Sequence, residues 1–263
     1  AEGGRISLIQ QASTLDFPVL EQALPLSEST IALFEDRPGR YLQNITSIPD
    51  FTEAAPLIAS RWEQRFGTPV DGVIAVDAVM TEHLLAVTGP LPFGPFTADQ
   101  DNVVSILLSE IYATVPDPAA QDQIFAQAAG ALFGAALSGG DPQKLVGALA
   151  ASAEEDRIRI WSAYEDEQEL LATTSLGGAL PVDDAEVHVG VLVNDATGGK
   201  MDYYADAEIT TAVGVCAGEP TTQVRVTWTN GVTAEVAASL PPYVTGGGYF
   251  GVSPGSLRTL LLV

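Results

Sequence analysis

The polar segment at residues 41–51 could bind a ligand, because a loop enters a predicted helix there. It carries Asn44 and Asp50, and the first turn of a helix presents free backbone N–H groups that can hold an anion. Asp77 is a second candidate, since it follows an apolar run at 70–76, and open α/β sheets bind ligands at the carboxyl ends of their strands. Both aspartates also suit helix capping, so ligand binding and capping are alternative interpretations of each.

Cationic side chains that could hold a phosphate are scarce in this chain. Arg61 and Arg65 lie four residues apart in a predicted helix and therefore share one of its faces. With Arg37 and Arg40 they are the candidates for an anion clamp. The alternative is that they form an ordinary solvated helix face.

Oxygen ligands surround a glycine turn at residues 194–202, where Asp195 and Asp202 are the candidate metal ligands. Calcium takes six to eight oxygen ligands, and calcium-dependent adhesion through this turn is one hypothesis. The spacing is not that of an EF-hand, so a hairpin turn is the alternative. His83 and His188 have no third ligand at metal-binding spacing, which disfavours zinc.

The sequence contains no recognisable motif for nucleophilic catalysis. It has no Gly-x-Ser-x-Gly, no phosphate-cradling loop and no Cys/His pair, and Cys216 is its single cysteine. That cysteine cannot form a disulfide within the chain. The sequence therefore favours a protein with no catalytic residues and no cofactor.

The charge balance restricts the partners. Lys and Arg number 11 and Asp and Glu number 34, which gives a formal net charge of −23. Because so few lysine and arginine side chains cannot neutralise a phosphate backbone, nucleic acid and anionic lipid surfaces are poor partners. An acidic surface instead attracts cations, cationic polymers or basic protein faces.

Residues 1–181 are predicted to form an α/β domain. Asp50 with Glu53 predicts a capping box at the start of a helix that Gly67 ends, and the run at 70–76 is typical of a central strand covered on both faces. Thr97 with Gln100 predicts another capping box. Strands are further predicted at 6–9 and 158–161, and helices at 27–34, 78–88, 97–115, 118–138, after Asp141 and at 165–172. This alternation favours a mixed sheet flanked by helices.

Residues 182–263 are predicted to form a smaller, β-sandwich-like domain. Alternation with period two replaces helical spacing after Pro181. Strands are predicted at 187–193, 201–215, 222–229, 232–237 and 257–263, with turns between them. The last strand ends without a polar tail, so we expect this domain to continue beyond Val263.

The sequence contains a set of distinctive motifs spread along the chain: QN at 43–44, PDF at 49–51, VDGVIAVD at 70–77, LLAVTGP at 84–90, DNVV at 101–104, NDATG at 194–198, KMDYY at 200–204 and LPPYV at 240–244. Together they resemble an uncharacterised actinobacterial envelope family known as domain of unknown function 4012. The resemblance implies a membrane-anchored protein with an extracytoplasmic body. It also implies that the anchor and some preceding strands lie outside this sequence.

The order of elements more distantly resembles the LytR-CpsA-Psr phosphotransferases, which attach glycopolymers to peptidoglycan. That resemblance implies an α/β fold of their type and a polyprenyl pyrophosphate held by several arginines. Here the stretch at 10–16, where that family places an Arg-Asp pair, reads QQASTLD, and its arginine-rich helix reads PAAQDQ at 118–123. Without these cations a diphosphate cannot be neutralised.

We therefore expect a non-catalytic binding or scaffold module of the cell envelope, either membrane-anchored in the full-length protein or secreted. Its expected partner is an envelope protein complex or a cell-wall polymer, and the membrane is contacted only through the anchor. The alternative is an active glycopolymer phosphotransferase. In that case at least two of the arginines 37, 40, 61 and 65 should point with Asn44 or Asp50 into one apolar-walled pocket.

Overall fold

The computed structural model describes residues 6–138, 141–181 and 188–263, and contacts divide the chain into two units. The first unit is Ala1–Leu107 with Asp117–Val189, and the second is Leu108–Pro116 with Gly190–Val263. The predicted boundary between residues 181 and 182 adjoins residues 182–187, which lie outside the described residues.

Helices and small antiparallel sheets alternate along the chain. The helices are α1 (Glu28–Phe34), α2 (Arg37–Arg40), α3 (Phe51–Phe66), α4 (Ala78–Thr88), α5 (Val103–Ser105), α6 (Ile111–Thr114), α7 (Pro118–Ser138), α8 (Pro142–Glu154), α9 (Glu165–Ala172), α10 (Ala234–Ser239) and α11 (Pro242–Thr245). The strands are β1 (Gly72–Val76), β2 (Leu91–Phe93), β3 (Phe96–Ala98), β4 (Ile158–Ser162), β5 (Leu192–Asp195), β6 (Ala205–Cys216), β7 (Glu219–Asn230) and β8 (Thr259–Leu262). The chain is thus a mixed α/β protein.

The core of the first unit forms around α3. Ala54, Ala55 and Leu57 are buried on this helix and pack with Ile45 and Ile48 from the preceding segment. Gly67 ends α3 with φ 70°, a left-handed conformation that glycine adopts without steric cost.

The predicted capping box at the start of α3 is half right. The Asp50 side chain caps the helix as expected. The carboxylate of Glu53 instead accepts hydrogen bonds, each of 2.8 Å, from the backbone N–H and the hydroxyl of Ser27 and from the hydroxyl of Thr30. Glu53 therefore joins α3 to the N-terminus of α1, a long-range partner that local spacing does not reveal.

The prediction that β1 is a central strand is wrong for the described residues. β1 pairs only with β4, antiparallel, with Ile74 opposite Ile160. One face of this pair packs on the core through Val73, Ala75 and Trp161. The other face leaves Ile74 65% exposed. A short apolar run does not show how many neighbours a strand has, and this one has a single neighbour.

The predicted helix at 97–115 begins later than expected. Thr97 lies in β3, which forms a hairpin with β2. Helical structure begins at Val103 and continues as a π-helical segment at Ile106–Glu110 and then as α6. Asp99 accepts hydrogen bonds from the N–H groups of Asp101 and Asn102, and therefore replaces the predicted capping box at Thr97.

The predicted strand at 6–9 is wrong, since residues 6–12 form no helix or strand.

The second unit contains a ribbon of two twelve-residue strands, β6 and β7, and the smaller pair β5 and β8. The predicted strand at 232–237 is wrong, since Thr233 caps α10 there. The predicted strand at 187–193 begins at Leu192 in the structure, and residue 187 lies outside the described part. Every sheet that the described residues form has two antiparallel strands.

Candidate functional site

The predicted anion-binding segment is built around helix caps. Asn44 lies half-buried in a 3₁₀ helix, Leu42–Ser47. The Asp50 carboxylate accepts hydrogen bonds from the N–H of Thr52 at 2.8 Å and from its hydroxyl at 2.6 Å. Asp50 thus accepts a hydrogen bond from the first turn of α3, where an anion would otherwise bind.

Three of the four candidate arginines contact one short segment, residues 16–20. Arg65 Nε donates to the carbonyl of Asp16 at 2.7 Å, Arg61 Nη2 donates to the carbonyl of Pro18, and Arg40 Nε donates to the carbonyl of Leu20 at 3.0 Å. The accepting carbonyls belong to every second residue. These guanidinium groups therefore fix a loop to α3 and α2.

The environments of these arginines differ. Arg61 is only 2% exposed, and its Nε has no hydrogen-bond partner among the described residues. Burial lowers the pKa of the Arg61 guanidinium. Arg65 lies over the ring of Phe66 at 5.1 Å and is exposed, and Arg37 forms a solvent-exposed ion pair with Glu35 at 3.6 Å. None of their described contacts is with Asn44 or Asp50.

Asp77 caps α4 and forms an ion pair. Its carboxylate accepts from the N–H of Met80 at 2.9 Å and from Arg157 Nη1 at 2.9 Å. Arg157 also lies 3.8 Å from Glu155. Asp77 is therefore held between a helix N-terminus and a guanidinium group.

Beside this ion pair lies a Ser–His–Glu arrangement that sequence spacing could not show, because its members are 69 and 72 residues apart. His83 Nδ1 is 2.9 Å from Ser152 Oγ, and His83 Nε2 is 3.7 Å from Glu155. The Ser152 hydroxyl donates to the carbonyl of Ala148 at 2.8 Å and is 0% exposed. A catalytic serine needs access to substrate, and the buried Ser152 hydroxyl has none. The cluster instead joins α4 to α8.

In the 194–202 turn, the first aspartate accepts hydrogen bonds from backbone N–H groups. The Asp195 carboxylate accepts from the N–H groups of Thr197, Gly198 and Gly199 at 2.7, 3.0 and 3.2 Å. Partial desolvation and the charge of Asp195 raise the pKa of Asp202, although Asp202 as a residue is exposed. In the part of the chain that the structure describes, no group of three or more His, Cys, Asp or Glu side chains is placed to hold a metal ion. Among the described residues, the predicted metal site at Asp195 and Asp202 therefore has no third ligand of these types.

An aromatic pair holds the lysine of the same turn. Lys200 Nζ lies 4.9 Å from the ring centroid of Tyr112 and 5.2 Å from that of Tyr243. Its backbone N–H donates to the carbonyl of Val244 at 2.8 Å. The cation–π contacts stabilise this turn.

The first unit has an open groove that none of the predicted site residues lines. We call it the N-terminal groove. Its volume is about 730 Å³, and it is lined by Leu8, by residues 10–16, by Trp62 of α3 and by one face of α7. Gln11 Nε2 donates to the carbonyl of Ala126 at 2.8 Å and joins the N-terminal segment to α7.

The lining of the N-terminal groove is mostly apolar, with a few polar and acidic side chains. Its charged side chains are Asp16 and Asp122, and the lining contains no Lys, Arg or His. Gln10, Gln11 and Gln123 add amides, and Trp62 and Phe125 add aromatic surface. Residues 10–16 and the start of α7 are the two stretches in which the phosphotransferases were expected to place arginines.

The family of the N-terminal part of the chain can now be stated. Residues 1–112 match the model of the family described as Protein of unknown function (DUF4012). This match confirms the predicted family over those residues, and it includes Asn44, Asp50, Asp77 and all four candidate arginines. The resemblance to the phosphotransferases and the actinobacterial origin remain predictions.

No curated protein and no solved structure matches the chain. Among the described residues, none of the helices combines the length and the apolar character that crossing a bilayer requires. The function is therefore inferred from the geometry of the N-terminal groove.

Proposed function

We propose that this protein is a non-catalytic binding module of the cell envelope, and that its N-terminal groove holds an uncharged, hydroxyl-rich segment of a wall polymer. One observation carries the proposal. The groove has two carboxylates and no cationic side chain, while Arg40, Arg61 and Arg65 donate to carbonyl oxygens of residues 16–20.

The alternative, a glycopolymer phosphotransferase, requires strong positive charge. A diphosphate carries charge that must be neutralised by arginine, lysine or a metal ion. Asp16 and Asp122 would repel it from the groove, whose lining contains none of the candidate arginines. The electrostatics therefore favour an uncharged ligand.

The chemistry of the groove suits a saccharide. Carboxylates accept hydrogen bonds from hydroxyl groups, and glutamine amides both donate and accept them. The lining also includes the aromatic side chains of Trp62 and Phe125, and the C–H face of a sugar ring packs well on aromatic surface. A groove open along its length admits a chain rather than a small, fully enclosed ligand.

The location and finer architecture belong to the same proposal. We infer an extracytoplasmic protein of the cell envelope, either membrane-anchored or secreted, with an envelope protein complex as a further partner. The finer fold that we propose is a LytR-CpsA-Psr-like α/β domain followed by a β-sandwich-like domain. The α/β character of the first unit supports the first of these assignments.

The test is a titration of the 263-residue chain with two wall-polysaccharide fragments, one dephosphorylated and one carrying its phosphates. We expect saturable binding of the neutral fragment and binding at least tenfold weaker for the phosphorylated one. Gln123→Ala, which removes an amide from the groove, should weaken neutral binding. Gln127→Ala, one turn later on α7 and outside the groove lining, is the matched control.

Two results would contradict the proposal. One is equal binding of the neutral fragment by Gln123→Ala and wild type, since the groove would then not be the site. The other is transfer or hydrolysis of a polyprenyl pyrophosphate by purified full-length protein, which would support the phosphotransferase instead.

A further inference from the structure

A stretch of the second unit that has no charged side chains exposes aromatic ones. Residues 236–257 contain no Asp, Glu, Lys, Arg or His, in a chain with 34 acidic residues. From residue 240 onward in this stretch, the large apolar side chains that are exposed are all aromatic. They are Tyr243, Tyr249 and Phe250, with exposed fractions of 55%, 83% and 60%. Val244 and Val252 are buried. Exposed apolar surface that is concentrated in one segment is typical of a binding site.

Two glycines make room for the rings of Tyr249 and Phe250. A Cβ at Gly247 would lie 2.6 Å from Cε2 of Tyr249, and a Cβ at Gly198 would lie 2.5 Å from Cδ2 of Phe250. Both glycines also have a positive φ, 58° for Gly247 and 72° for Gly198, which other residues rarely adopt. Each ring therefore packs against backbone that only glycine leaves accessible, and the rest of each side chain is exposed.

Hydrogen bonds fix the segment that carries these two rings. We call residues 246–251 the aromatic loop. Arg258 Nη2 donates to the carbonyl of Phe250 at 3.3 Å and to the carbonyl of Gly251 at 3.1 Å. The N–H of Gly251 donates to the carbonyl of Gly248 at 3.2 Å. A loop that is already ordered loses little conformational entropy when a ligand binds, so the rings are pre-organised for a partner.

We propose that the aromatic loop binds uncharged saccharide rings, which stack on Tyr249 and Phe250. The C–H face of a sugar ring packs well on aromatic surface, and a tyrosine hydroxyl both donates and accepts hydrogen bonds, as sugar hydroxyls do. A stretch without ionisable side chains suits a ligand without charge. The site belongs to the second unit, so it is a binding site additional to the N-terminal groove and does not require that groove.

A lipid surface fits the aromatic loop less well. Segments that lie in a membrane interface combine aromatic with aliphatic side chains and carry lysine or arginine on their polar face. Between residues 240 and 257 the chain exposes no large aliphatic side chain and has no lysine or arginine. The net charge of −23 also repels anionic headgroups. The saccharide is therefore the partner that this surface favours.

The test is a biosensor titration of the 263-residue chain on an immobilised, dephosphorylated wall-polysaccharide fragment. The double variant Tyr249→Leu/Phe250→Leu keeps large apolar side chains but removes both rings, and it should bind weaker than wild type by about tenfold or more. Tyr249→Phe, which removes only the hydroxyl, should lose less affinity. Hydrogen exchange of residues 246–251 should slow in the wild type when the fragment is bound.

Matched variants separate this site from the N-terminal groove. Tyr164→Leu, at a position of the first unit that is 52% exposed, makes the same kind of change away from the aromatic loop and should bind as wild type does. If Gln123→Ala weakens binding and the double leucine variant does not, the groove binds the fragment and the aromatic loop does not. The reverse result would contradict the proposed function of the groove and support the aromatic loop.

Three results would overturn the proposal. They are no binding of the fragment by wild type, equal binding by wild type and the double leucine variant, and unchanged hydrogen exchange of residues 246–251 with the fragment bound. Co-sedimentation with phosphatidylcholine vesicles in place of saccharide binding, retained by the double leucine variant, would assign the aromatic loop to a lipid surface and would also overturn it.

Discussion

At the scale of single residues, most of the candidate aspartates bind backbone N–H groups. Asp50 and Asp77 cap helices, and Asp195 accepts three consecutive N–H groups of its own turn. A short carboxylate at a loop-to-helix or glycine turn reaches the nearest free backbone donors. The residue types that suggest an anion or metal site are thus the ones that local backbone hydrogen bonding also requires.

Asp202 is different, because its surroundings disfavour its charge. Desolvation and the nearby charge of Asp195 raise the pKa of Asp202. A carboxyl with a raised pKa stabilises the fold below its unfolded-state pKa of about 3.9, and this contribution is lost as the pH rises through the folded-state value. Asp202→Asn, which stays neutral, should therefore raise the Tm of the second unit at pH 7. The difference from wild type should close at or below about pH 4, and thermal melts across this range measure it.

Asp206→Asn is the control for this prediction, since it removes a carboxylate from an exposed position of β6. The calcium hypothesis makes the opposite prediction. If calcium bridged Asp195 and Asp202, it would raise the wild-type Tm, and Asp202→Asn would lose that rise. An unchanged wild-type Tm with calcium or chelator would remove the hypothesis.

At the scale of elements, local sequence signals predicted the helices better than the sheets. α7 and α8 begin at their predicted signals, because an aspartate followed by a proline at the first turn marks a helix start locally. The pairing of β1 with β4 alone, 86 residues apart at Ile74 and Ile160, has no local signal. Residues 232–237 alternate in hydrophobicity, yet Thr233 caps a helix there.

The site was predictable only in part. The sequence located the two stretches that lack arginine, and both line the N-terminal groove. It did not show that Arg61 and Arg65 bond to residues 16–20, because a helical face has the same spacing whether solvent or a loop covers it.

The arginines that fix residues 16–20 should differ in their importance for stability. Arg61→Ala removes a buried guanidinium group, leaves the carbonyl of Pro18 without this donor and should lower the free energy of unfolding by about 1–3 kcal/mol. It should also speed chymotryptic cleavage after Leu20. Arg65→Ala, at an exposed position, should cost less than about 1 kcal/mol. Urea unfolding and limited proteolysis measure these effects.

Arg37→Ala is the control, because Arg37 pairs only with exposed Glu35 among its described contacts. It should match wild type in both assays. If Arg61→Ala were as stable as Arg37→Ala, the guanidinium group of Arg61 would not be structural, and its availability to a ligand would have to be considered again.

At the scale of the whole molecule, negative charge exceeds what pairing can neutralise. With 34 Asp and Glu against 11 Lys and Arg, carboxylates outnumber cationic side chains by 23. This excess is consistent with the proposed ligand site, since the N-terminal groove carries carboxylates and no cationic side chain. A surface of this kind repels phosphate-rich ligands and leaves uncharged or basic ones as partners.

Self-repulsion on this scale predicts how stability depends on salt. Raising NaCl from 10 to 150 mM at pH 7 shortens the Debye length from about 30 Å to about 8 Å and screens carboxylates from one another. The Tm should rise by about 2–4 °C, which corresponds to roughly 1 kcal/mol for a chain of this size. Near pH 4 many carboxylates are neutral, so the same salt step should raise the Tm less. A Tm that falls with salt at pH 7 would instead show that ion pairs such as Arg157 with Asp77 outweigh the repulsion among the unpaired carboxylates.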